Sequence, residues 1–181
     1  MQDKYSGAVT VGYAALFMTS WLSFMHFAGW TSFDSGGAAL PFVMFFSIIM
    51  VVAGVFCFFN DAKVDSVLFI VIGTQGFSFS MRFLMMPNLE ANTAYSAMDG
   101  WMLILIAIIV FYLWAASMKS EMIKRIFLLL FWLTFLAAAL ANWLALDIFA
   151  YIGGYLGLIS AVLAGWYSAT TVLPGKSEAT G

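Results

Sequence analysis

Apolar residues run through this chain in six long blocks, near 8–30, 39–59, 66–86, 100–117, 126–146 and 149–172. A helix needs about 20 mainly apolar residues to cross a bilayer core, and six blocks come close to that length. They are too long and too uniformly apolar for barrel strands. The polar breaks between them are "TSFDSGG", "NDAKVD", "PNLEANTAYSAMD", "MKSEMIKR" and a very short one around Asp147. The pattern predicts an all-α integral membrane protein, a single six-helix transmembrane domain spanning residues 1–181.

Composition sharpens that reading. Of 181 residues, 64% are hydrophobic and 9% charged, and the mean hydropathy is +1.00. Soluble domains are about half apolar and a quarter charged. Little mass is left for an extramembrane catalytic domain, so no enzyme is expected. The net charge of -2 points to no nucleic-acid partner. One cysteine, Cys57, excludes a disulfide within the chain. "MQDKYSG" lacks the basic stretch and small-residue cleavage site of a signal peptide. No HExxH, GxSxG or P-loop pattern occurs, no lysine falls within a predicted span, and one histidine cannot ligate haem from both faces. No cofactor and no metal are expected.

Charge predicts the orientation. Cytoplasmic loops are enriched in Lys and Arg. Lys4, Lys63, Lys119, Lys124, Arg125 and Lys176 fall in the first tail, the second and fourth loops and the last tail. Asp34, Glu90, Asp99 and Asp147 fall on the other side, and Arg82 lies within the third block. Both termini are therefore expected in the cytoplasm, with the chain multi-pass in the inner (plasma) membrane. The starts of spans one to three recur at a near-constant interval in spans four to six. Three spans per half would invert the second half, the plan of many transporters.

Polar residues inside a membrane need partners and mark candidate sites. On the first helix Gly12, Leu16, Thr19, Ser23 and His26 step by three or four residues and share a face. Gln75, Ser78 and Arg82 do so on the third helix, and Thr134 and Asn142 on the fifth. One reading is a weakly polar lining along a solute path, with Arg82 offering a positive charge where an anion pauses and His26 at the same outer end of its helix. The other is local bonding of hydroxyls to their own helix and amide bonds between helices. Gly153, Gly157, Ala161 and Gly165 form a small-residue ridge, read as a packing surface, and Ala137, Ala141 and Ala145 form a similar one.

Several stretches resemble the acetate uptake transporter family, the succinate–acetate permeases. They are "HFAGW" (26–30), "MVVAGVFCFFNDAKVDSVLFIVIGTQGFSFS" (50–80) and "LAAALANWLALDIFAYIGGYLGLISAVLAGWYSATTVLP" (136–174). The family's first-helix motif is Asn-Pro-Ala-Pro-Leu-Gly-Leu; here "GAVTVGY" (7–13) stands in its place, and Gly12 alone matches. Met50 and Cys57 replace a usual Gln and an acidic residue, and Arg82 has no family counterpart.

The resemblance implies a permease or channel for acetate or a related small monocarboxylate, in a homo-oligomer, a hexamer with one path per protomer. It implies an apolar constriction at Leu16, Ile72 and Phe131. Thr19, Ser23, Gln75 and Asn142 are expected to bond the solute, with His26, Ser78 and Arg82 along the same path. Carboxylic acids protonate near pH 4, and the neutral acid crosses an apolar gate more cheaply than its anion, so uptake is expected to be proton-linked. The missing Asn-Pro motif supports a different class, a non-transporting structural or accessory subunit of a membrane assembly. A channel for a neutral solute such as urea or ammonia fits the same pattern.

Overall fold

A computed structural model describes residues 6–31, 33–85 and 93–172. These form six helices: α1 (Ser6–Phe27), α2 (Phe33–Phe59), α3 (Lys63–Met85), α4 (Thr93–Ala116), α5 (Met122–Leu144) and α6 (Asp147–Val172), with a 3-10 turn at Ser117–Lys119 extending α4. All six are long and apolar enough to cross a membrane, and there is no strand among the described residues. Lys4, Glu90 and Lys176, part of the charge argument, lie outside the described residues, as does the side chain of Asp34.

The helices begin earlier than the apolar blocks predict. α2 starts at Phe33 and α4 at Thr93, several residues upstream of the expected 39 and 100. Turn-forming residues such as Ser35, Gly36 and Gly37 sit inside α2, and Pro41 is helical too. A proline there gives up one backbone bond, but in lipid every remaining backbone group still favours a helix. α3 and α5 also start upstream of their apolar blocks, with consequences for the site.

The helix ends are capped by backbone geometry. At the end of α1, Trp30 N–H donates to Met25 O at 3.0 Å and Gly29 N–H to His26 O at 3.0 Å, and Gly29 has φ +75°. This is a Schellman turn on the glycine that tolerates a left-handed conformation. Asp61 ends α2 in the same way at φ 59°, with Ala62 N–H donating to Cys57 O at 3.0 Å. Ala145, expected on a packing ridge, instead lies beyond α5 as its left-handed cap.

The helices pack as a ring in chain order. Neighbours along the chain pack closely, and α6 returns to pack along α1, whereas α3 and α4 barely touch. In an inverted repeat the α1–α6 seam would correspond to the α3–α4 seam, so the two halves differ in packing there. The α1–α6 seam is joined at the end that carries the two termini: Ser168 Oγ donates to Thr10 O at 2.9 Å, and the Thr10 and Thr171 hydroxyls lie 2.6 Å apart. The ridge of α6 serves packing within the protomer. Gly153 meets the α5 backbone at Thr134 and Ala138, and Gly157 and Gly165 receive the rings of Phe24 and Phe17 from α1.

Candidate functional site

α1, α3 and α5 run in the same direction and turn one face each toward the middle of the ring. Lys63, Lys119, Lys124 and Arg125 sit at the end where these three helices begin; this is called the basic end below. A cavity of about 260 Å³ lies in the half of the ring away from it, partly open, walled by α1 to α5. One liquid water occupies about 30 Å³, so the space holds several small molecules.

The cavity gathers most of the residues expected from the sequence. Thr19, Ser23 and His26 line it from α1, Gln75 and Ile72 from α3, and Phe131 and Asn142 from α5. Thr19 Oγ1 and Gln75 Oε1 are buried and have no hydrogen-bond partner among the described residues. Asn142 Nδ2 donates to Ala138 O at 2.9 Å, within its own helix. Thr134, on a nearly shared face, turns its hydroxyl back to Leu130 O at 2.9 Å. The His26 ring meets Phe27 edge-on, 6.0 Å between centroids.

Three expected residues stand elsewhere. Ser78 is exposed on the outside of α3 and is not among the cavity residues. Arg82 does not line the cavity; it forms a two-point ion pair with Asp99 of α4, Nη2 donating to Oδ2 at 2.7 Å and Nη1 to Oδ1. The lone positive charge expected to detain an anion is therefore neutralised, and its partner Asp99, read from the sequence as a loop acid, is the residue that faces the cavity. The pair spans the one seam of the ring that helix packing leaves loose. Leu16 is fully buried but lies one turn deeper than Ile72 and Phe131.

Below the cavity the ring is filled. Tyr13, Leu16, Phe69, Phe127, Leu128 and Phe131 are at most 1% exposed. Phe127 stacks on Phe131 at 5.3 Å, Phe131 meets Phe135 edge-on at 4.9 Å, and Tyr13 meets Phe69 at 5.0 Å. Gly12, the one residue shared with the permease motif, is the recess that the Phe69 ring occupies. These side chains form a plug about two helical turns deep.

Under the plug lies a polar cluster that the sequence reading missed. Asp65 Oδ1 accepts from Lys124 Nζ at 2.5 Å and from Tyr13 Oη at 2.8 Å. Asp65 and Lys124 are 8% and 7% exposed. The expectation that no lysine lies within a span is therefore corrected: α5 begins at Met122 and takes Lys124 into the bundle, as α3, beginning at Lys63, takes in Asp65. Carboxylates also stand within the spans, Asp65 in the third and Asp99 in the fourth. One signal was legible: Asp65 is in helical phase with Phe69 and Ile72, and Lys124 with Phe127, Phe131 and Asn142.

At 1.5 Å per residue, the three helices share a register. Tyr13, Asp65 and Lys124 form the lowest layer. Thr19, Ile72 and Phe131 stand roughly 10 Å above it, Ser23 and Gln75 roughly 15 Å, and Arg82 and Asn142 roughly 25 Å.

No protein-family model matches the sequence, and no curated protein matches it. Among solved structures, the bacterial acetate channel SatP is similar to this chain with a TM-score of 0.78, covering 92% of this chain and 97% of that one at 18% sequence identity. The resemblance to the acetate uptake transporters read from the sequence thus extends to the three-dimensional arrangement. Over 92% of its length the chain has the six-helix fold of that acetate channel.

Proposed function

We propose that this protein is a membrane channel or permease for acetate or a related small monocarboxylate. The observation that carries the reading is the pair Thr19 Oγ1 and Gln75 Oε1, buried against a cavity of solute size without a hydrogen-bond partner among the described residues. A buried polar group without a bond costs about 1–3 kcal/mol, a cost that a bound polar solute removes. A carboxylic acid fits both: its O–H donates to Gln75 Oε1, and its carbonyl accepts from the Thr19 hydroxyl. Ser23 and Asn142 extend that polar wall, with His26 at its far end. The methyl group faces the apolar floor of Ile72 and Phe131.

The plug favours the neutral acid over the anion, which makes uptake proton-linked. The distribution of Lys and Arg supports cytoplasmic termini, with the chain in the inner (plasma) membrane and the cavity facing outward. Large apolar side chains on the outside of α2 and α4, among them Phe42, Phe45, Trp101 and Leu105, suit lipid or further copies of the chain, consistent with a homo-oligomer, a hexamer in the family it resembles. Labelled acetate should enter liposomes carrying the purified protein, and faster at lower external pH. Flux equal to that of empty liposomes would sink the proposal.

The depth of the plug favours a second reading, a non-transporting subunit of a membrane assembly. It predicts co-purification with a fixed partner and no solute flux under any pH gradient.

A further inference from the structure

The Asp65–Lys124–Tyr13 cluster is more than the transport reading needs. Each of its side chains comes from a different one of the three parallel helices α1, α3 and α5, and it sits in the same register below the plug. Burying two opposite charges carries a desolvation penalty of several kcal/mol per ion, and a well-packed apolar pair of the same volume is often as stable. A brace between helices therefore does not require charge at this position.

The geometry shows what the charges hold. The Lys124 ammonium and the Tyr13 hydroxyl both donate to one oxygen, Asp65 Oδ1, and the ammonium also stands 6.0 Å from the centre of the Tyr13 ring. Together they form a two-donor seat for a carboxylate oxygen. The group in that seat is a methylene carrying a carboxylate, which is acetate on a tether. A solute carboxylate presents the same acceptor to the same donors. An ammonium has three donors, and the one acceptor it has among the described residues is Asp65.

We propose that Lys124 and Tyr13 form a carboxylate-binding site at the basic end of the path, with Asp65 as its resident occupant, and that a solute carboxylate opens this end by exchanging with Asp65. The proposal rests on the transport reading above. It adds a second site, specific for the anion, beyond a plug that favours the neutral acid. In the resting state the occupied seat ties α1, α3 and α5 together. Exchange frees Asp65 from both donors and loosens that layer.

The chain carries its own reporter. Cys57, its single cysteine, is fully buried at the end of α2, within electrostatic reach of both Asp65 and Lys124. The test is the rate at which a charged, membrane-impermeant methanethiosulfonate labels Cys57 in the purified full chain. Acetate should raise that rate about fivefold or more, the low end of ordinary coupling between sites. Acetamide, its neutral isostere, should not. In the Asp65→Asn/Lys124→Met variant, which removes both charges, the rate should no longer depend on acetate. Equal rates in acetate and acetamide for the unaltered protein would overturn the proposal, and so would an undiminished acetate effect in the double variant. The first comparison needs no variant to fold. If liposomes show no acetate flux while the labelling still responds to acetate, the transport reading fails and the binding site stands. If flux is present and labelling ignores acetate, the site fails alone.

Discussion

Lys124 of α5 and Asp65 of α3, 59 positions apart in the sequence, meet at 2.5 Å in the interior of the bundle. Neither is more than 8% exposed. Each was placed by its charge in a loop, and each belongs to a helix that starts before its apolar block does. The pair ties α3 to α5 two helical turns below the level from which Ile72 and Phe131 line the cavity.

Removing one member of this pair should cost far more than removing both. Asp65→Asn leaves a buried ammonium without its counter-charge, a loss of about 3–5 kcal/mol. Asp65→Asn/Lys124→Met leaves no charge and should stay within about 1 kcal/mol of the unaltered protein. Thermal unfolding in detergent measures both. A double variant as unstable as the single one would contradict the assignment of the pair as a buried ion pair.

The ion pair of Arg82 and Asp99 closes the loose α3–α4 seam. Its side chains are 25% and 28% exposed, so screening limits its contribution to about 1 kcal/mol. Arg82→Gln should lower the unfolding temperature slightly and should increase protease cleavage near that seam. Unchanged cleavage would mean that packing alone holds α3 to α4.

Ala145 holds a left-handed conformation at φ 51°, which costs an L-residue roughly 1–2 kcal/mol. Ala145→Gly should raise stability by about 1 kcal/mol and leave acetate flux unchanged, since residue 145 is exposed and not among the cavity residues. A loss of stability would show that the turn after α5 relaxes in the bilayer.

Phe131 is the floor of the cavity and a contact of Phe24, Phe127 and Phe135. Phe131→Ala should widen the path and admit longer carboxylates such as butyrate relative to acetate. The same change removes a buried ring, at about 3–5 kcal/mol, so flux is compared per folded protein. An unchanged acetate-to-butyrate ratio would show that selectivity is set elsewhere.

The sequence made the six helices legible because lipid leaves a long apolar segment no other stable backbone. The polar face of α1 was legible for the same reason: Thr19, Ser23 and His26 recur at helical spacing and do face the cavity. Ser78 shows the limit of such spacing. At 3.6 residues per turn, three residues from Gln75 fall about 60° short of a full rotation, whereas seven residues to Arg82 fall only about 20° short of two. Ser78 therefore leaves the stripe and reaches the outside. Asp65, Lys124 and Asp99 were hidden by a different rule. A charged residue beside a span is ordinarily solvated, and the partner that keeps it inside lies on a helix far away in sequence.

The central claim is that Thr19 and Gln75 bond a carboxylic acid on its way through the ring. The most direct measurement is labelled-acetate uptake by liposomes carrying the unaltered protein or the Thr19→Val/Gln75→Leu variant, under one inward pH gradient. Two lost hydrogen bonds of about 1 kcal/mol each should slow uptake by roughly tenfold or more, while the variant stays folded. Uptake by the variant equal to that of the unaltered protein would contradict the account.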